Sequence, residues 1–144
     1  MLVRTVTQDD ADAVYKLICS YRQEALARDI FDGILKNNLQ DPHRRLALAL
    51  VEGEPVGFAD MEVKLTLSRC ALVAVINDLF VLESHRSQGI GTGLLISLTR
   101  QMATLGCDSV EVACPRVDVK SQAFLERNGF VRAQHLFRHE RAKA

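Results

Sequence analysis

The chain has no surplus of basic charge, no cysteine pair at metal or redox spacing, and no apolar run long enough to cross a bilayer. Each of these gaps excludes a class of function. Its 18 lysines and arginines balance 18 aspartates and glutamates, which argues against nucleic acid as the main partner. The tail Arg138-His139-Glu140-Arg141 is mixed in sign and too short to change that. No stretch approaches the ~20 apolar residues of a spanning helix, so no membrane partner is expected. Met1-Leu2-Val3-Arg4 lacks the apolar block of a secretory signal, and the expected location is cytoplasmic. Cys19, Cys70, Cys107 and Cys114 are scattered, and His43, His85, His135 and His139 form no pair at ligand spacing. No metal site is expected, and the cysteines read as reduced, small side chains. Repeats, linkers and low-complexity segments are also missing, so residues 1–144 read as one domain.

The most informative stretch is Val73 to Leu105. It opens with a nearly unbroken apolar segment through Leu82, interrupted only by Asn77-Asp78. A short polar link leads to Arg86-Ser87-Gln88-Gly89-Ile90-Gly91-Thr92-Gly93. Apolar residues then recur at Ile90, Leu94, Leu95, Leu98, Met102 and Leu105, the rhythm of one helix face. Strand, glycine-rich turn and helix in that order make an anion site. The first helical turn leaves N–H groups unpartnered and carries the positive end of the helix dipole. Glycine lets the backbone approach a phosphate, and Arg86 adds a forked donor. A Walker loop would need lysine after its second glycine, where Thr92 stands. The dinucleotide fingerprint would need a third glycine at position 94, which is leucine.

The remainder reads in order. Val3 to Val6 is a strand, and Thr7-Gln8-Asp9-Asp10 is a capping-box-like helix start. A first helix carries Val14, Leu17, Ile18 and Tyr21, and a second carries Ile30 to Leu39 before Asp41-Pro42. Leu46–Val51 and Val56–Leu67 are paired strands around a turn at Glu52-Gly53-Glu54-Pro55. Gly106 caps the glycine-rich helix, and Ser109–Cys114 is a strand. Val119–Arg127 is a last helix, and Phe130–Phe137 completes the sheet. The layout is α+β around one mixed sheet.

Arg86-x-x-Gly89-x-Gly91, after Asp78-Leu79-Phe80-Val81 and before Leu94-Leu95, resembles the acetyl-coenzyme A signature of the GNAT N-acetyltransferases. The resemblance extends over essentially the whole chain. It implies an α/β three-layer arrangement: a mixed, mostly antiparallel sheet flanked by helices, whose central parallel strands splay to admit the pantetheine arm. The first half is more specific. Thr7-Gln8 with Asp10, Asp12-Ala13-Val14-Tyr15, Leu17-Ile18-Cys19, Asn38-Leu39 with Asp41-Pro42, Leu46 to Leu50, and Gly53-Glu54 with Val56-Gly57 resemble the aminoalkylphosphonate N-acetyltransferases. The activity this resemblance implies is acetyl transfer from acetyl-CoA to the primary amine of a small molecule, with aminoalkylphosphonates among the candidate acceptors. A homodimer is common among such relatives. The alternative is an acetyl-CoA-binding sensor with weak catalysis.

The chemistry then nominates residues. The amine must be neutral to attack, and a buried strand rarely carries Asn77-Asp78 unless they have partners or a task. Alternation should send these two to opposite faces. Asp78 is the expected catalytic acid–base group and Glu62 on the neighbouring strand the reserve. The resemblance assigns the coenzyme to the backbone of Leu79, Phe80 and Val81, to the loop Arg86, Ser87, Gln88, Gly89, Ile90, Gly91 and Thr92, and to Ser121 and Phe124 of the last helix. One departure stands out: the family's Phe-Tyr reads Phe124-Leu125, so the phenol that protonates the leaving thiolate is missing. Ser121, Cys114 or water are its candidate substitutes. Arg22, Arg28, Arg44, Arg45, Lys64 and Arg69 fall in segments where an acceptor phosphonate would need cations.

Overall fold

Small residues on one sheet face and large ones on the other decide how this sheet is covered. The computed structural model describes residues 1–142. Its strands are β1 (Leu2–Thr5), β2 (Arg44–Val51), β3 (Glu54–Thr66), β4 (Ala71–Val81) and β5 (Ser109–Val112), adjacent in that order. The first four pair antiparallel and β5 joins β4 in parallel. Helices α1 (Ala11–Arg22) and α2 (Arg28–Gln40) link β1 to β2, α3 (Ile90–Thr104) links β4 to β5, and α4 (Val119–Arg127) follows. The expected mixed α+β sheet is thus present.

Cross-strand pairing places Ala47 opposite Ala59 and Ala49 opposite Gly57. These short side chains let α3 lie close: a methyl on Gly57 would stand 3.2 Å from Leu94 Cδ1 and 3.4 Å from Ile90 Cγ2. On the opposite face Leu48, Phe58 and Phe80 pack with Val14 and Leu17 of α1 and Leu35 of α2. The hairpin between β2 and β3 turns on Glu52 (φ 51°) and Gly53 (φ 81°), the pair of positive dihedrals that a two-residue turn requires. Gly106, at φ 78°, caps α3: its N–H donates to Ala103 O and that of Cys107 to Met102 O.

The helix start at Thr7–Asp10 is held by a buried carboxylate. Asp10 accepts from the Thr7 N–H at 2.8 Å and from both ends of the Arg4 guanidinium at 2.8 Å. The Arg4 fork, more than burial opposes it, lowers the Asp10 pKa to about 2. The folded carboxyl titrates below its unfolded value near 3.8. Its stabilisation is therefore complete above pH ~4 and lost as pH falls from there through ~2. With Arg4 partly exposed, Asp10→Asn should cost about 1–2 kcal/mol at pH 7 and nearly nothing at pH 2. Urea unfolding at the two pH values measures the difference.

The chain divides into two compact units, Met1–Val112 and the remainder from Ala113. The first holds all five strands and the second holds α4. Residues 130–137, expected as a closing strand, have no regular structure. An extended segment needs a ladder partner, and the described residues of the second unit offer no strand. Arg132, Gln134 and His135 interrupt the segment's apolar residues, and Val131 and Phe137 remain 83% and 92% exposed. There is too little burial to offset the entropy of ordering.

Candidate active site

β4 and β5 pair only from Val73 opposite Ser109 to Ile76 opposite Val112. Beyond that point β4 continues through Val81, with β3 on its other edge. β5 stops at Val112, two residues short of the expected Cys114. The edge of β4 at Asn77–Val81 that faces away from β3 thus has no strand beside it in this unit. The resemblance implies parallel strands that part; here β5 ends at Val112 and leaves that edge of β4 open.

A register shift lies at the same place. Met61 pairs with Ile76 and Asp60 with Asp78, so Asn77 is an extra residue in β4. A bulge reverses the alternation beyond it. Ile76 is buried in the core, whereas Asp78, two residues on, stands directly opposite Asp60. Asn77 and Asp78 do not divide between faces as alternation predicts. Both are exposed, and the Asn77 amide acts on Asp60. The bulge removes the parity on which the expectation rested.

Asp60 and Asp78 both line a cavity of about 380 Å³, bounded by α1, α2, the segment joining them, and the sheet. Asp60 is 7% exposed. Burial, reinforced by the Asp78 and Glu62 charges and opposed by Arg44 and Asn77, raises its pKa to about 6. Asp78 is also raised: the protein crowding its carboxyl outweighs the attraction of Arg22 and Arg44. Arg44 Nη1 lies 3.4 Å from Asp60 Oδ1 and 3.3 Å from Glu62 Oε2. Glu62 also meets Lys64 Nζ at 3.4 Å. Among the residues lining this cavity Glu62 does not appear; it is an ion-pair residue behind Asp60. Asp60 was the residue that sequence reasoning missed. Its signal was legible, a lone carboxylate in the apolar run Val56-Gly57-Phe58-Ala59-Asp60-Met61.

The buried charge has a stability signature. The folded Asp60 carboxyl titrates above its unfolded value near 3.8. The fold therefore binds the proton more tightly, and stability falls as pH rises from ~4 through ~6. Asp60→Asn should stabilise the protein at pH 8 by about 1–2 kcal/mol and have little effect at pH 4. Melting curves at both pH values measure this.

The loop after β4 is open. Arg86 Nε donates to Val81 O at 3.2 Å and ties the loop to the strand end. Ser87 (φ 63°) and Gly89 (φ 79°) adopt left-handed backbone, and residues 86–89 are mostly exposed. A methyl on Gly89 would meet nothing within 4 Å. Ile90 is buried and anchors the helix, so only its backbone remains for a ligand. The Gly93 N–H bonds Gly89 O at 3.0 Å and closes the first turn. The residues present fit a pyrophosphate. The Phe80 side chain is core, stacked on Tyr21 at 4.4 Å between centroids. Ser121 and Phe124 belong to the second unit. There the Ser121 hydroxyl donates to Asp118 Oδ2 at 2.7 Å as part of the α4 cap, and Phe124 is half-buried. Cys114, also in that unit, has its thiol pKa raised by burial.

The candidate cations all have partners, and Arg44 is the one that pairs with a carboxylate lining the cavity. Arg22 pairs with Glu24, Arg28 with Asp12 and Asp32, Arg44 with Asp60 and Glu62, and Arg69 with Glu111. Arg45 donates to carbonyls, and Lys64 meets Glu62.

The sequence profile of the acetyltransferase (GNAT) family matches residues 11–130. The chain belongs to that family. As a GNAT member it is an N-acetyltransferase, and the profile runs across the boundary between the two units. The chain is 29% identical to an aminoalkylphosphonate N-acetyltransferase of Salmonella typhimurium, over 94% of this chain and 88% of that protein. Two solved structures share the GNAT fold. One is an aminoglycoside N-acetyltransferase in complex with CoA (TM-score 0.88, 20% identity, 97% and 93% of the two chains covered). The other is an acetyltransferase of Trypanosoma brucei (TM-score 0.82, 22% identity, 96% and 98% covered). Among the described residues no helix is long and apolar enough to cross a membrane.

Proposed function

We propose that this protein transfers the acetyl group of acetyl-CoA to the primary amine of a small molecule, and that residues 1–144 act as one catalytic domain. The observation that carries the reading is the pair Asp60–Asp78, set opposite one another where β4 loses its parallel neighbour. Amides at the start of α3, with Arg86 beside them, would hold the pyrophosphate. Leu79 to Val81 would bond the pantetheine along the unpaired strand edge, and the N–H of Phe80 or Val81 would polarise the acyl carbonyl. When bound, acetyl-CoA supplies an acyl group activated on sulfur.

The acceptor arrives as an ammonium of pKa ~10.4 and must lose a proton. Asp78 receives it electrostatically, and Asp60, its pKa raised to about 6, takes the proton directly or through one water. The transfer is uphill by ~4 pKa units, about 6 kcal/mol, and the apolar cavity reduces that by disfavouring the charged amine. The departing thiolate needs little help: with a thiol pKa of ~8.5 it leaves about 2 kcal/mol short of neutral-pH balance. Leu125 in place of a tyrosine therefore slows turnover without forbidding it.

The Salmonella relative's name makes aminoalkylphosphonates the first acceptors to assay. A homodimer belongs to the same proposal, and exposed Val131, Leu136 and Phe137 support it. Sedimentation measures it. Leu125 also favours a second reading, a sensor that binds acetyl-CoA without transferring its acyl group. Melting with acetyl-CoA, CoA, ATP and NAD, then thiol release over a panel of amines, separates the two. The enzyme reading expects selective stabilisation by acetyl-CoA and amine-dependent release. Stabilisation without release from any amine supports the sensor.

A further inference from the structure

The cavity that holds Asp60 and Asp78 has a second property, its wall. Among the described residues its lining, apart from these two carboxylates and Asn38, is apolar, with no lysine, arginine or histidine. Val14, Leu35 and Phe58 form its buried floor, and Ile30 and Ile34, 62% and 54% exposed, stand at its mouth. Arg44, the cation nearest Asp60, lies outside the lining and is shared with Glu62. Arg22, whose charge reaches Asp78 from outside the lining, pairs with Glu24, and Arg28 pairs with Asp12 and Asp32. The charge offered to an occupant is therefore negative, and it is concentrated at one end.

We infer that the acceptor is a primary amine with an apolar alkyl or aryl body and no anionic group. This rests on the acetyltransferase reading above. The ammonium sits at the Asp60–Asp78 end beside the open stretch of β4, and the body lies against α1 and α2. A phosphonate two carbons from the amine would be held within a few ångströms of two carboxylates, with no cation in the lining to meet it. Like charges at that range in a partly dry site repel strongly. A diamine finds its second ammonium facing leucine and isoleucine rather than a carboxylate. At about 380 Å³ the cavity suits a body the size of a hexyl or phenethyl group.

The test compares kcat/KM for hexylamine, phenethylamine, putrescine and 2-aminoethylphosphonate in thiol release from acetyl-CoA, at fixed pH and ionic strength. Hexylamine and phenethylamine should exceed 2-aminoethylphosphonate and putrescine by about 10-fold or more. Ile34→Lys changes an exposed residue at the mouth. It should lower kcat/KM for hexylamine about 10-fold and leave or raise that for 2-aminoethylphosphonate. Comparable or better turnover of 2-aminoethylphosphonate, or an equal effect of Ile34→Lys on both amines, overturns the inference and leaves the acetyltransferase reading intact. If no amine releases thiol, both fall.

Discussion

Asp78→Asn lowers kcat/KM for the amine about 100- to 1,000-fold while the acetyl-CoA dissociation constant stays within about twofold. The substitution keeps the side chain's shape and hydrogen-bonding reach but removes its charge. Asp78 lines the cavity beside Asp60 and carries one of the two charges there that favour an ammonium. The loss should fall on both KM and kcat, because the same charge holds the amine and steers its proton. A pH profile separates this role from a structural one. The Asp78 charge helps to raise Asp60, so its removal lets Asp60 titrate lower. The wild-type activity should rise with pH through about 6, following Asp60 ionisation. In Asp78→Asn that limb should move toward acid. A limb that stays in place, or turnover that is unchanged, removes the pair from the mechanism.

Gly89→Val abolishes useful acetyl-CoA binding, with a dissociation constant raised about 100-fold or more by calorimetry. Two effects contribute. At φ 79° a β-branched residue is strained, at about 1–2 kcal/mol or somewhat more. The space around that position is empty of protein, so the new methyls meet no side chain. They stand instead where the proposed pyrophosphate would approach the helix amides. Gly53→Val is the control: Gly53 has φ 81°, equally open surroundings, and a place in the β2–β3 turn far along the chain. It should lower the melting temperature by a similar amount without weakening acetyl-CoA. Equal loss of affinity in both variants would show that strain alone, and not the loop's contact with a ligand, is responsible.

Much of this was legible in the residues. α4 has the predicted bounds, and α3 covers Ile90–Thr104, within the apolar rhythm read from Ile90 to Leu105. The glycine-rich loop lies between β4 and α3 as read from the sequence, with Gly89 in left-handed backbone at the start of the helix. Local signals suffice for such features: helical periodicity, caps, and the positive φ that glycine accepts cheaply. Elsewhere local signals misled. Residues 130–137 are apolar enough to resemble a strand, but strand formation depends on a partner that no local pattern encodes. The linear reading passed over Asp60 and named Glu62 as the reserve acid–base group. Only the pairing register showed that Asp60 meets Asp78 while Glu62 pairs with Arg44 and Lys64.

Composition, periodicity and the Arg86–Gly91 spacing determined on their own that this chain is an α+β protein with a glycine-rich loop between a strand and a helix. Those features depend on neighbours a few residues apart, so a linear reading contains them. The tertiary structure alone decided which carboxylates stand together and what kind of wall surrounds them. One extra residue in β4, Asn77, turns Asp78 toward Asp60, and two helices from an earlier part of the chain wall an apolar cavity that both carboxylates line. Register and long-range packing are properties of paired segments, and neither is written in any single one.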